Sequence, residues 1–528
     1  MTDYDVVVAG SGPVGLWLAA ELRRAGARVV VLEKRAERVP HSKAMTVYPR
    51  TIEMFATRGL AERFLAEGTP VPSSHFALLS SRLDFSFLDT RYPFALFLPQ
   101  RRTEELLEEH LAELGVPLLR SHEVTGLRQS DSAVHVDVST PSGPAVFSAA
   151  YVAGCDGAGS VVRRAAGIAY EGTASTWHTI LGDIELSDPP GGRALTMATE
   201  GGSLLMVALG GSRWRLATID HATLYDEPNG PVTFAELRAS AVRLAGTDFG
   251  MRESADAWLS RVGNETRQAA AYRSGRVFLA GDAAHIHFPA GGQGLNLGLQ
   301  DAANLAWKLG LAASGRGASW LLDSYEAERA PVGLDVIDDA LAQCGLFANP
   351  SREGVALRDR FDRLLAQTPS LRAALTVRLS GLGIAYPADS CTLAGRRVPD
   401  FDLSGARAST LYELLHSAKF VLLTRPGISL PPDIPHRSDV PDHADVPDHA
   451  GISDRAGISD HVGISHAADM ARYRDNLDCV SAEFAGDDPD WADVRAMLVR
   501  PDGYLAWALR AADPVAGPPL ATWLTAPH

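Results

Sequence analysis

The chain opens with alternating blocks of strand-like and helix-like apolar pattern. Asp5 to Ala9 (DVVVA) is a short β-branched run, which predicts a strand buried on both faces of a parallel sheet. Residues 16–26 (LWLAAELRRAG) space their apolar side chains three and four apart and predict an amphipathic helix stopped at Gly26. Arg28 to Leu32 (RVVVL) predicts a second strand, ending at Glu33. Farther on, YVAGC (151–155) and RVFLA (276–280) read as strands, each followed by a turn and a helical pattern. Residues 101–115 (RRTEELLEEHLAELG) predict another helix. From about 176 to 275 the pattern turns to strands, with LLMVALGG (204–211) and RWRLATID (213–220) forming a hairpin. The apolar runs 75–79 and 92–98 are expected to add strands to that sheet.

The turns between these blocks carry the chemistry. Gly10-Ser11-Gly12-Pro13-Val14-Gly15 sits between the first strand and the first helix. Gly10 permits the tight turn, Gly12 lets backbone N–H groups approach a pyrophosphate, and Gly15 lets the helix pack close to the strand. The helix N-terminus adds partial positive charge for the phosphates. Glu33 ends the next strand, where a carboxylate accepts ribose hydroxyls. That carboxylate repels a 2′-phosphate, which disfavours NADP at this site and leaves NAD and FAD open.

Two further turns follow. Asp156-Gly157-Ala158-Gly159 precedes the helix that begins at Ser160, and by itself also fits an ordinary strand–turn–helix connection. The block after Ala280 is more specific: Gly281-Asp282-Ala283-Ala284-His285, then Pro289-Ala290-Gly291-Gly292-Gln293-Gly294-Leu295-Asn296 opening a long helix. Asp282 is placed to accept a ribityl hydroxyl. The glycines bring backbone N–H groups and a helix dipole to the negative edge of a flavin.

Taken in this order, the three blocks resemble the class A flavoprotein monooxygenases, the p-hydroxybenzoate hydroxylase-like family. Ser42-Lys43-Ala44, Pro49 to Glu53, the Gln100 segment, the His285–Gly294 block and Gly395 to Asp400 are similar to the bacterial aromatic polyketide hydroxylases of that family, those of the anhydrotetracycline hydroxylase type. The resemblance implies an α/β fold: a Rossmann-like FAD-binding domain with an inserted β-sheet substrate domain and a C-terminal thioredoxin-like domain lacking redox cysteines. It implies an FAD-binding domain over 1–175 and 276–330, with 71–99 contributing to the substrate sheet of 176–275. A helical connection then spans 331–390, and the C-terminal domain 391–528. It adds Lys34, Lys43, Arg50, Gln100 and Val124 to the FAD contacts named above. It further implies that NADPH or NADH reduces the flavin transiently, that O2 adds at flavin C4a, and that the distal oxygen passes to a polycyclic aromatic substrate. A helix-start surface charge is the alternative for Arg50. His285 and His287 are nearest in sequence to the flavin block as a base for a phenolic substrate, but packing or backbone hydrogen bonding is the favoured reading for both. No catalytic residue can be named.

Composition narrows the partners. The 528 residues exceed one ordinary core, and a formal net charge of -15 argues against nucleic acid and anionic membranes. Four separated cysteines, Cys155, Cys344, Cys391 and Cys479, form neither a CxxC pair nor a disulfide framework, and no metal site is expected. The absence of a basic-then-apolar leader and of a 20-residue apolar span leads to a cytoplasmic expectation, as monomer or homodimer. Residues 439–469 are a degenerate six-residue repeat rich in His and Asp, read as a loop grown by repeat expansion. Baeyer–Villiger insertion, antibiotic inactivation and a non-catalytic FAD-binding role are the rival readings. The lack of a Trp-x-Trp motif counts against a halogenase.

Overall fold

A computed structural model describes residues 2–227, 230–254, 257–388, 393–430, 473–485 and 488–524; the 439–469 repeat and Cys391 lie outside the described residues. The N-terminal pattern folds as its period dictates. Strand β1 (Tyr4–Ala9) leads into helix α1 (Pro13–Arg24), and β2 (Val29–Glu33) returns parallel to β1. Helix α2 (Gln100–Glu113) precedes β3 (Leu118–Arg120), and β4 (Gly143–Gly154) lies on the other side of β1. The parallel core is completed by β10 (Val277–Leu279), in the order β10-β4-β1-β2-β3. Val6, Val7, Val8, Val30 and Val31 have no exposed surface, as expected for parallel strands buried on both faces.

The middle of the chain forms a separate antiparallel sheet. It contains β5 (His178–Leu186), β6 (Ala194–Thr199), β7 (Gly202–Gly210), β8 (Arg213–Asp220) and β9 (Trp258–Gly263), ordered β6-β7-β8-β5 with β9 also paired to β5. The expected hairpin is β7–β8.

The runs at 75–79 and 92–98 do not join it. Among the described residues Ser73–His75 pairs only with Arg82–Asp84, and Ala95–Phe97 pairs with Thr46–Val47 and Thr69–Val71. For the first run the cause is local: Ala77 and Leu78 take φ of 50° and 57°, ending the extended backbone. Phe76, Leu79 and Phe85 instead pack in one cluster with Trp177, Phe288 and Phe347.

Four long helices follow: α3 (Gly294–Ala313), α4 (Asp323–Phe347), α5 (Arg352–Gln367) and α6 (Pro369–Ser380). The expected boundary between 330 and 331 falls inside α4, which carries Pro331 within its length. The proline's missing N–H removes one hydrogen bond but does not end the helix.

The C-terminal sheet contains β11 (Phe420–Thr424), β12 (Leu477–Ser481), β13 (Val494–Val499) and β14 (Leu505–Arg510), ordered β12-β11-β13-β14. Only the β11–β12 pair is parallel. The turn after β13 is driven into the rest of the protein. Arg500 pairs with Glu328 at 2.7 Å, Asp502 accepts from Trp307 Nε1, and the Pro501 carbonyl accepts from Arg58. No helix among the described residues is long and apolar enough to cross a membrane.

Candidate cofactor cradle and active site

Three turns at the C-terminal ends of parallel strands meet in space. At Gly10, with φ of 100°, an added Cβ would sit on the carbonyl of Cys155, so the first turn touches the second. An added Cβ at Gly281 would lie 2.9 Å from Val14, and one at Gly298 would lie 3.0 Å from Gly281 Cα. Arg163 ties the second turn to the third: its guanidinium donates to the Ala158 carbonyl at 2.8 Å and to the Ala283 carbonyl at 2.9 Å. Its planar group also lies over the Tyr170 ring, whose hydroxyl donates to the Asp282 carbonyl.

Gly12 differs from its neighbours. Its φ and ψ are −69° and 176°, which any L residue adopts, and an added Cβ would meet nothing within 4 Å. The protein itself therefore does not require glycine there, and the space beside its Cα is open to a ligand held close to the backbone. The N-termini of α1 and α3 have no side-chain cap and no acidic residue in the first turn, which keeps both ends suited to negative groups. Pro13 occupies the start of α1, where its missing N–H costs nothing.

Glu33 is buried at the end of β2. Its carboxylate accepts from the Ser11 N–H at 2.9 Å, from the Ser11 hydroxyl at 3.0 Å and from the Arg35 N–H at 2.9 Å. Burial pushes its pKa up, but the Arg35 and Ser11 hydrogen bonds outweigh this and hold it below the ordinary carboxylate value. The group is thus ionised at neutral pH and shaped to accept hydroxyls. Lys34 beside it is exposed, and Val124 is buried in a strand on the same sheet.

The loop bearing Lys43 is clamped from two sides. Gln100 Oε1 accepts from the Ala44 N–H at 3.1 Å, and the Ser42 hydroxyl accepts from the Arg101 N–H at 3.0 Å. From the β-sheet domain, Arg215 donates to the carbonyls of Ser42 and Lys43, and its Nε pairs with Asp183 at 2.7 Å. Asp183 and Arg215 face each other across β5 and β8. No local sequence signal announces this pair, since only the strand register joins the two.

At the third turn, Asp282 is exposed, Pro289 is exposed, and Gly292, Gly294 and Leu295 are half-buried. Asn296 anchors the loop: its Oδ1 accepts from the Tyr48 N–H at 2.8 Å, and its Nδ2 donates to the carbonyls of Thr46 and Gly292.

Several expected residues have other employment. Arg50 is neither at the surface nor available to a cofactor. It is fully buried, pairs with Glu53 at 3.1 Å, donates to the Asp502 carbonyl at 2.6 Å and lies over the Tyr504 ring. The Asp156 carboxylate accepts from Ser160 and from the N–H groups of Val161 and Val162, so it caps the helix after its own turn. His285 Nε2 lies 2.6 Å from Asp301, whose other oxygen pairs with Arg329 at 2.8 Å. Burial raises the pKa of Asp301, but Arg329 and His285 more than offset it and hold the carboxyl below its ordinary value. His287 Nδ1 donates to the Phe288 carbonyl at 2.7 Å, and burial lowers the pKa of the ring.

Above the third turn lies an aromatic face. Trp177 and Phe288 have ring centroids 4.9 Å apart, Phe288 and Phe347 5.6 Å apart, and Leu205 of β7 packs on the same cluster. The arrangement sets a buried aromatic cluster beside the third of three converging glycine turns.

Comparison with known proteins agrees. The FAD binding domain family model matches residues 3–340, and the aromatic-ring hydroxylase C-terminal model matches residues 456–527. The chain belongs to the class A flavoprotein monooxygenases. It is 41% identical over 519 residues (96% of this chain, 95% of the relative) to the 12-dehydrotetracycline 5-monooxygenase/anhydrotetracycline 6-monooxygenase of Streptomyces rimosus subsp. rimosus. It is 37% identical over 512 residues (96% and 95%) to the rifampicin monooxygenase of Streptomyces venezuelae. Among solved structures, the anhydrotetracycline hydroxylase of Streptomyces rimosus superposes with a TM-score of 0.83 at 40% identity, covering 99% of this chain and 100% of that one. This flavoprotein monooxygenase is accordingly an FAD-dependent oxidoreductase, with NAD(P)H as the family's reductant.

Proposed function

We propose that this monooxygenase hydroxylates an aromatic ring of a flat, polycyclic polyketide in antibiotic biosynthesis. The observation that carries the reading is the aromatic face of Trp177, Phe288 and Phe347 set beside the third turn of the FAD cradle. Bound FAD supplies the chemistry by which one atom of O2 reaches the substrate. The chain's own residues bind, orient and exclude water. Gly10, Ser11, Gly12, Pro13 and Gly15 receive the pyrophosphate at the start of α1, and Glu33 accepts the adenosine ribose hydroxyls. Lys34, Lys43, Gln100 and Val124 flank the adenosine and ribityl portions. Asp282 accepts a ribityl hydroxyl, and Pro289, Gly292, Gly294, Leu295 and Asn296 meet the flavin ring at the N-terminus of α3. Asp156 and Gly157 support the cradle by ordering the second turn.

The strand order of the C-terminal sheet, a parallel pair flanked by an antiparallel hairpin, supports a thioredoxin-like reading of that domain. Its role is structural, because Arg500 and Asp502 lock it against α3 and α4. The chain is proposed to act in the cytoplasm.

The test is NADPH consumption by the purified yellow protein against tetracyclic and angucyclic intermediates, with the product read by mass spectrometry. Substrate-stimulated oxidation and a product heavier by one oxygen are expected. No stimulation by any aromatic ligand would leave a binding role instead. The similarity to a rifampicin monooxygenase favours one second reading, oxidative inactivation of an antibiotic. Oxidation of a finished drug, with biosynthetic intermediates inert, would select it.

A further inference from the structure

A cavity of about 620 Å³ lies between α3, α4 and α6, apart from the aromatic face: Trp177, Phe288 and Phe347 do not line it. Its walls are mixed: Val332 and Val336 from α4, Val377 from α6 and Ile384 just beyond supply apolar surface, beside polar side chains that include Gln293, Gln300 and Ser380. This size is that of a small-molecule site, roughly 300–1,000 Å³.

Two polar features define what it accepts. Gln300 of α3 lines the cavity, is 6% exposed, and its Oε1 has no hydrogen-bond partner among the described residues. An acceptor buried without a donor is costly and calls for one from outside the chain. The charged groups at the cavity, Asp335 and Arg378, pair with each other at 2.7 Å, and Arg378 also reaches Asp339 at 3.1 Å. They offer no unmatched charge to a ligand.

We propose that this cavity is a second small-molecule site, taking a neutral, largely apolar ring compound whose hydroxyl or N–H donates to Gln300 Oε1. Its floor includes Asn296 and Tyr48, which also hold the third turn of the cradle. The Tyr48 hydroxyl donates to the Gly291 carbonyl at 2.5 Å. An occupant therefore bears on the loop that carries the third turn. Its binding does not rest on the FAD assignment.

The experiment is equilibrium dialysis of 2-naphthol, and of naphthalene as the donor-free control, against the FAD-loaded protein. Val332→Trp and Ala374→Phe fill the cavity from two different helices. The expected result is a saturable component of 2-naphthol binding that both variants lose while keeping their flavin content. Gln300→Leu should weaken 2-naphthol roughly tenfold, the worth of one hydrogen bond, and leave naphthalene unchanged. Wild-type binding in both filled variants, or no saturable 2-naphthol binding by the parent, would overturn the proposal. A colourless protein would count against the FAD reading instead, since dialysis still reports on the cavity.

Discussion

Gly12→Ala separates what the fold needs from what the cofactor needs. The backbone at Gly12 lies in a region open to alanine, and a Cβ there meets no protein atom within 4 Å. Folding of the apo-protein should be unharmed, and reduced freedom of the unfolded chain should stabilise it by about 0.4–1 kcal/mol. FAD binding should suffer twice. A methyl group pressed against the pyrophosphate costs about 1–3 kcal/mol, and pushing the phosphate off a backbone N–H forfeits about 1.5–3 kcal/mol. The sum, about 2.5–6 kcal/mol, predicts a rise in the FAD Kd of roughly 60-fold to 20,000-fold. The assay is fluorescence titration of apo-protein with FAD, beside thermal unfolding of the same sample. Gly15→Ala is the contrast: its Cβ would run into the Gly10 carbonyl, so both stability and FAD binding should fall. An FAD affinity in Gly12→Ala equal to that of the parent would refute the placement of the pyrophosphate.

Other changes test the remaining parts. Asp282→Ala removes an exposed carboxylate at the third turn, and should raise the FAD Kd roughly 10- to 150-fold without lowering the unfolding temperature. Arg215→Lys keeps the charge beside Asp183 but cannot span both loop carbonyls; FAD affinity measured by the same titration should fall at least fivefold. For Glu328, burial raises the pKa, but Arg500 and Lys308 outweigh it and leave the carboxyl far below its ordinary value of 4.5. A depressed folded-state pKa means stability that is present above pH 4.5 and lost as the pH falls below it. Glu328→Gln should therefore cost about 3–5 kcal/mol at pH 7 and flatten the acid limb of a stability–pH curve read by urea unfolding.

The sequence was most informative where the constraint is local. The three glycine turns were readable because each demands a backbone freedom or close approach that only glycine supplies, within a few residues of a strand end. The β7–β8 hairpin was readable from its alternation and its Gly-rich turn. What failed depended on distant partners. Arg50 looked like a free cation, but its Asp502 partner lies in the C-terminal domain. Asp183 and Arg215 share only a strand register. The run at 75–79 had strand composition, and nothing in its residue types announced left-handed backbone at Ala77 and Leu78. Asp156 stood in a cofactor-like motif, yet Ser160 four residues on was the signal of a cap.

The most direct check is the stoichiometry of flavin uptake by the apo-protein, followed by protein and flavin fluorescence together. One equivalent of FAD per chain, bound saturably and yielding a yellow complex, is the predicted result. Apo-protein that stays colourless in excess FAD, with the fluorescence of free flavin undiminished, would contradict a cradle built from three converging turns.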